Sequence, residues 1–257
     1  MKTQEKNFDG IKLSGFTAIL IMLALTGTAI YLLSLPQTPS IIAGVICGIC
    51  VVVMLPGFMI IQPNNSRVLT FFGRYAGTVI SNGFYWVNPL FLKSTVTLRI
   101  LNLNIDPIKV NDKVGNPIMI GAVVVWRIKD TYKASFDISG NIREFVQIQS
   151  DAALRQVAGM YAYDTNETID KVTLRSDESG EITQRLEDEL NSRLAIAGIE
   201  IVEARINYLA YASEIASVML RRQQADAIIS ARERIVEGAV SMVHLALEKL
   251  EKDGVVE

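Results

Sequence analysis

From Leu13 to Ser66 the chain contains no Lys, Arg, Asp, Glu or His. The turn-forming cluster Pro36-Gln37-Thr38-Pro39-Ser40 divides this run into Leu13–Leu35 and Ile41–Ile61. A helix needs roughly 20 apolar residues to cross the hydrocarbon core, and each half meets that length. Inside lipid a helix satisfies its own backbone polar groups. The expectation is two membrane helices, 13–35 and 41–61, joined by a tight turn, with the remainder of the chain held at a membrane surface. Three other readings compete. A cleaved signal peptide would explain Lys2, Lys6 and Lys12, but the run is too long, lacks an A-x-A site and is followed at once by a second run. A buried soluble hairpin would demand a very large core. A re-entrant hairpin, broken at Pro56-Gly57, stays open beside the spanning one.

Charge sets the orientation. Lys2, Lys6 and Lys12 precede the first apolar run, Arg67 and Arg74 follow the second, and the connecting turn has none. The positive-inside rule then places both ends on the cytoplasmic side of a cell membrane that the chain crosses twice. Between Asp9 and Asp106 no acidic residue occurs, whereas Arg67, Arg74, Lys93 and Arg99 do. These four are the candidate contacts to an anionic lipid surface, at roughly 1 kcal/mol per basic group. Gly44 and Gly48 have the spacing that lets membrane helices approach closely and are the candidate packing positions of the hairpin. Cys47 and Cys50 form C-x-x-C inside the same apolar run, where thiolates are disfavoured, so they read as small packing residues.

Beyond the hairpin the formal balance is mildly acidic, and the whole chain carries −2, with no basic excess to suit nucleic acid. Val68–Phe72, Thr95–Asp106, Ile118–Lys129 and Ile199–Leu209 read as strands, and Asp112–Pro117 as a hairpin turn. Phe84-Tyr85-Trp86 belong either to the lipid interface or to the first core layer of a small sheet. Asn141–Met160 shows a helical face at Ile142, Phe145, Val146, Ile148, Ala152, Leu154, Val157 and Ala158. Tyr161–Thr173 and Arg175–Gly180 are loop-like. Ile182–Ala197 is a second amphipathic helix, with Leu186, Leu190 and Leu194 on one face and Gly198 as its stop. The fold class is α+β. Three parts follow: 1–61 with the two membrane helices, a domain over 62–212, and a long helix over 213–257.

That last helix, capped by Ser213, carries two apolar stripes. One runs through Ile215, Val218, Ala225, Ile229, Val236, Ala239, Val243, Ala246 and Leu250. The other runs through Ile228, Ala231, Ile235, Gly238, Met242 and Leu245. Two stripes suit a helix packed between identical neighbours, with Ile228, Ile229, Ile235, Val236, Met242 and Val243 as the candidate oligomer interface. The competing reading folds the helix back on its own domain, with a break at Gly238.

No site chemistry stands out. His244 is the single histidine, so a Ser-His-Asp or multi-His metal site has little to draw on. No P-loop, G-x-G-x-x-G or H-E-x-x-H occurs, and no cofactor is expected. Asn64-Asn65-Ser66 and Asn166-Glu167-Thr168 match the glycosylation pattern, which a cytoplasmic domain would not use.

The residues from about Gln62 to Leu250 resemble the SPFH, or band 7, superfamily of stomatins, prohibitins, flotillins and bacterial relatives. NSRVLTFFGRYAGTV and NGFYWVNPLF look like the opening strands, with Gly73, Gly83 and Pro89 in place, and DKVGNPIMIGAVVVWRIKD like the central hairpin. FVQIQSDAALRQVAG is similar to the first helix, and YASEIASVMLRRQQADAIISARERIVEGAV to the junction into the long helix. Ser213 stands where relatives often have Pro. The chain stops soon after Leu250, short of the long coiled coil of stomatin or flotillin, so a ring or smaller oligomer is expected rather than a closed cage. The resemblance implies a bacterial membrane-anchored scaffold of antiparallel SPFH-type sheet and packed helices. Its implied partners are membrane lipids, further copies of itself, and a membrane protease or other membrane protein, with no catalytic residues supplied. A membrane enzyme or transport component with an unmarked site is the alternative; intramembrane ionisable residues would mark a transport path, and the hairpin has none.

Overall fold

The computed structural model describes residues 5–164, 172–176 and 180–252. Residues 165–171 and 177–179, on which part of the two expected loops and the Asn166 pattern fall, lie outside the described residues. Helix and strand alternate irregularly: β1 Leu13–Ser14, α1 Gly15–Ser34, α2 Thr38–Met54, β2 Phe58–Ile61, β3 Asn65–Phe71, β4 Arg74–Val79, β5 Gly83–Trp86, β6 Phe91–Thr97, β7 Leu101–Asn111, β8 Pro117–Ile128, α3 Thr131–Phe136, α4 Ile142–Ala158, α5 Glu181–Leu194, β9 Ile199–Tyr211 and α6 Ser213–Lys252. The fold is α+β. The strands form three sheets of three, ordered β1-β5-β2, β4-β3-β6 and β7-β8-β9. The pairs β1/β5, β2/β5, β3/β4 and β3/β6 are antiparallel. The chain divides into two compact units. The first comprises Met1–Ile105, Val123–Ala153 and Leu186–Arg205, and the second Asp106–Ala122, Leu154–Arg185 and Ile206–Glu257.

In the first unit, α1 and the segment Thr38–Gly57 are both long and apolar enough to cross a membrane. Three hydroxyls of α1 are turned onto the helix's own carbonyls: Thr26 Oγ1 donates to Met22 O at 2.7 Å, Thr28 Oγ1 to Leu25 O at 2.9 Å and Ser34 Oγ to Tyr31 O at 2.7 Å. A polar group that meets its partner within the helix leaves nothing for lipid to solvate. Large apolar side chains such as Leu20, Ile30, Ile49 and Val52 point outward, the arrangement of a helix whose solvent is hydrocarbon.

The second apolar run is not helical to Ile61. Helix α2 begins three residues earlier than expected, at Thr38, and stops at Met54. One 3₁₀ turn, Leu55–Gly57, then leads into β2. Pro56 lacks an N–H and its ring clashes with the preceding turn, which ends the α-helix. Gly57 fixes the exit, because a Cβ there would lie 2.3 Å from Trp86 Nε1 and 2.6 Å from Val87 O. Phe58–Ile61 then pairs residue for residue with Trp86–Gly83.

Met59, Ile61, Leu69, Val79 and Val87 form a buried cluster where these short strands meet. The segment ahead of α1 joins it. Phe8 N donates to Thr78 O at 3.1 Å, Thr78 N donates to Lys6 O at 2.8 Å, and the Phe8 ring meets Phe91 edge-on at 5.4 Å. A chain of hydroxyls continues this contact, with Thr131 Oγ1 donating to Glu5 Oε1 at 2.6 Å and lying 2.9 Å from Thr78 Oγ1. Nothing in the sequence marks residues 5–8 as an added strand, since one paired residue leaves no periodicity.

The expected strand Thr95–Asp106 is two strands, β6 and β7, parted at Leu98–Ile100. Helix α3 escapes sequence reading because six residues are too few for a helical period. Its start is nevertheless marked by Asp130, whose carboxylate accepts from Lys133 N at 3.0 Å. In α4 the buried apolar positions are Val146, Ala153, Leu154, Val157 and Ala158, whereas Ile148 is exposed. Helix α5 buries Ile182, Leu186, Leu190 and Leu194 in one line. In the first unit its polar side chains reach the neighbouring backbone: Asn191 Oδ1 accepts from Ile201 N at 3.0 Å and Glu187 Oε1 from Ala204 N at 3.1 Å. Gly198 follows with φ +68°, the left-handed conformation that ends helices at lowest steric cost.

In the second unit the turn after β7 is organised by Asp112. Its carboxylate accepts from Val114 N, Asn116 N, Asn116 Nδ2 and Tyr163 N at 2.8–3.1 Å. A buried carboxylate with four donors is satisfied, and its role is to close a turn.

Candidate functional site

Two surfaces carry the residues that sequence reading singles out. The first is the end of the first unit where α2 leaves the apolar hairpin. The last carbonyls of a helix have no partner within it, and here the sheet supplies three donors. Trp86 Nε1 donates to Met54 O at 2.9 Å, Lys93 Nζ donates to Pro56 O, and Val87 N donates to Gly57 O at 3.0 Å. Phe84 stacks on Phe58 at 5.5 Å and meets Phe16 of α1 edge-on at 5.6 Å. Lys12 Nζ sits 4.8 Å from the centre of the Tyr85 ring. Of the two readings of Phe84-Tyr85-Trp86, the core-layer one describes Tyr85. Tyr85 packs against the buried cluster, while Phe84 and Trp86 bind the ends of the two apolar helices.

The four basic residues do not converge. Arg67 lies mid-strand in β3, opposite Val79 and Thr95. Arg74 pairs with Phe71 at one end of the ladder, and Arg99 follows Thr97, which pairs with Asn65 at the other. At about 3.3 Å per residue those ends are about 20 Å apart. Lys93 is drawn to the helix exit, and burial, followed by the nearby Arg67 charge, lowers its pKa. The Phe71 end is the one alongside the exit, since Lys93 is two residues from Phe91, which faces Phe71. There the chain exposes Phe72 (79%), Leu90 (58%) and Leu92 (69%) beside Arg74. These apolar tips were missed in sequence because they sit on turns and an edge strand, where no periodicity separates exposed from buried.

Gly44 and Gly48 also part company. A Cβ on Gly44 would lie 2.8 Å from Leu33 Cγ and 3.2 Å from Ala29 O, so this glycine brings α2 close to α1. Gly48 faces open space, with nothing within 4 Å. Cys47 and Cys50 are free thiols.

The second surface is α6. Its start is fixed within the second unit. Ala212 N donates to Pro117 O at 3.0 Å, and Ala212 O accepts from Ile215 N and Ala216 N. The capping position therefore falls on Ala212, and Ser213 is the first helical residue rather than the cap. Lys109 forms an ion pair with Glu214, which lowers the Glu214 pKa through that hydrogen bond. Tyr163 and Tyr211 pack with their rings tilted by 36° and their centres 4.0 Å apart, and burial, with the charge of Asp164, raises the pKa of the Tyr211 hydroxyl to about 12. Beyond this base the helix is bare. It passes Gly238 without a break, and every side chain from Ala227 to Lys249 is exposed. That span includes Ile228, Ile229, Ile235, Val236, Met242 and Val243, with Ile235 at 70%. At 1.5 Å per residue α6 is about 60 Å long. His244 lies on this bare stretch. Among the described residues no group of three or more His, Cys, Asp or Glu could hold a metal ion.

No curated protein matches this chain. The family model described as "SPFH domain / Band 7 family" matches residues 59–239, well over half of the sequence, from β2 into the bare part of α6. The chain is therefore a member of the SPFH/Band 7 family, a family of membrane-associated scaffolds.

Proposed function

We propose that this chain is a membrane-anchored scaffold that self-assembles at the cytoplasmic surface of the cell membrane and organises lipids or partner membrane proteins, a membrane protease among them. The observation that carries the reading is the bare length of α6. A run of exposed Ile, Val, Met and Leu on a helix of this length has no use in a lone chain and a direct one between copies. The candidate interface residues, Ile228, Ile229, Ile235, Val236, Met242 and Val243, fall in adjacent pairs repeating every seven residues, the period of a coiled-coil seam.

The bonding of residues 6 and 8 to Thr78 supports a hairpin that leaves and returns on one side. A segment ahead of α1 and a strand following α2 can pair only if both lie on the same face of the bilayer. The Lys/Arg asymmetry names that face as cytoplasmic. In intact cells, cysteines introduced by Asp9→Cys and Glu248→Cys should both be shielded from an impermeant thiol reagent, and Gln37→Cys should react. Reaction at Glu248→Cys would overturn the assignment.

Arg67, Arg74, Lys93 and Arg99 are the proposed lipid-surface contacts, and the geometry grades them. Arg74 shares its end of the sheet with Phe72 and the α2 exit, whereas Lys93 is already engaged by Pro56. Arg74→Gln should cost about 1 kcal/mol of binding to anionic vesicles for a protein lacking the hairpin, and Lys93→Gln less. Equal losses at all four positions, or unchanged binding at low salt, where screening is weakest, would contradict this ordering.

A further inference from the structure

Trp126 is the second of the chain's two tryptophans, and the scaffold reading makes no use of it. It lies in β8, is only 2% exposed, and its Nε1–H has no acceptor among the described residues. An indole N–H is a donor only, and a buried donor without a partner is costly enough to need an explanation. The ring lines a cavity of about 200 Å³ within the first unit. That is far more room than one water needs, and less than a drug-sized ligand fills.

The remaining walls give the cavity a definite chemistry. Leu101, Ile128 and Ile142 are apolar. Asn141, just ahead of α4, and Arg143, in its first turn, also line it, α4 being a helix of 17 residues. Asn141 Oδ1 is occupied by Arg143 N at 2.9 Å, and among the described residues Arg143 is the only charged one on the wall. Its guanidinium has no hydrogen bond or ion pair among the described residues. A cation in the first turn of a helix also opposes the helix dipole, and an anion there reverses the sign of that interaction. Glu144, in the same turn, does not line the cavity.

We propose that this cavity binds a small organic carboxylate with an aliphatic body. The carboxylate accepts from Trp126 Nε1–H and from the Arg143 guanidinium, and the aliphatic part lies against Leu101, Ile128 and Ile142. The ligand comes from the aqueous side. Thr97, which also lines the cavity, pairs with Asn65 at the end of the β3–β6 ladder away from the α2 exit.

The test uses the full chain in lipid nanodiscs and 6-bromohexanoate, whose bromine quenches tryptophan fluorescence on contact. The expected result is a saturable quenching component that disappears in Trp126→Phe. In that variant only Trp86, beside the apolar hairpin, remains to report unsaturable partitioning into lipid. Arg143→Gln, at an exposed position that leaves the core untouched, should weaken the saturable component by roughly tenfold or more, as expected for the loss of a charge-assisted hydrogen bond. The neutral 6-bromohexanol should bind comparably weakly to the unaltered protein. No saturable component, a saturable component that survives Trp126→Phe, or equal affinity in Arg143→Gln would each overturn the proposal.

Discussion

Ile228→Asp combined with Ile235→Asp is expected to reduce the detergent- or nanodisc-extracted protein to smaller species by mass photometry, with the strand signal in circular dichroism nearly unchanged. Both side chains are exposed on the single chain, so the change leaves the domain core intact. Exposed substitutions of this kind usually shift stability by no more than about 0.5 kcal/mol. In an assembly the same positions would be buried between helices, and two carboxylates held there unpaired would cost several kcal/mol. Cyclic neighbours supply two different faces through one heterologous contact, which is what two stripes call for. An unchanged mass, or outright unfolding, would show that α6 is not the assembly surface.

The second large effect is expected at Gly57. Gly57→Val places atoms 2.3 Å from Trp86 Nε1 and 2.6 Å from the Val87 carbonyl. The first of these neighbours is pinned by its hydrogen bond to Met54 O, and the second is backbone paired to Gly57 itself. Neither can turn aside, so the sheet must separate from the helix exit. Overpacking alone costs roughly 1–3 kcal/mol, and the lost hydrogen bonds add about 1 kcal/mol each. The expected readout is a lowered melting temperature together with a red-shifted Trp86 emission. A variant that melts and emits like the unaltered protein would mean that the junction between hairpin and sheet is looser than its contacts indicate.

The parts legible in the sequence are those where one physical rule acts without competition. The absence of charge from Leu13 to Ser66 marks the two apolar helices. The four-residue spacing of Leu186, Leu190 and Leu194 marks α5, and Gly198 marks its end, with φ +68° at that glycine. The β-branched run in Ile118–Lys129 marks β8 to within a residue. Illegible parts are those where two rules compete or the element is short. Apolar content carried the expected second helix to Ile61, but Pro56 and the pairing of Phe58–Ile61 with β5 override it. Ile148 has the spacing of a buried residue and is exposed, because α4 buries a narrower face than its apolar content suggests.

The candidate site follows the same division. The bare stripes of α6 could be read directly, since a helix with two apolar faces shows them in its spacing. The four basic residues are visible in the sequence but their positions are not, because the β3–β6 register that sends Arg74 and Arg99 to opposite ends is a tertiary fact. The same holds for Gly44 and Gly48, identical in motif and different in surroundings. Phe72, Leu90 and Leu92 acquire meaning only once Lys93 is seen at Pro56.

Single-particle imaging of the full chain extracted with native lipid tests the central claim most directly. The account predicts closed multimers in which the α6 of each copy lies between those of two neighbours, with Ile228, Ile235 and Met242 on one contact and Ile229, Val236 and Val243 on the other, and with all hairpins entering one membrane from the same face. Monomers with α6 free in solvent, or multimers joined through other elements while α6 stays bare, would contradict it.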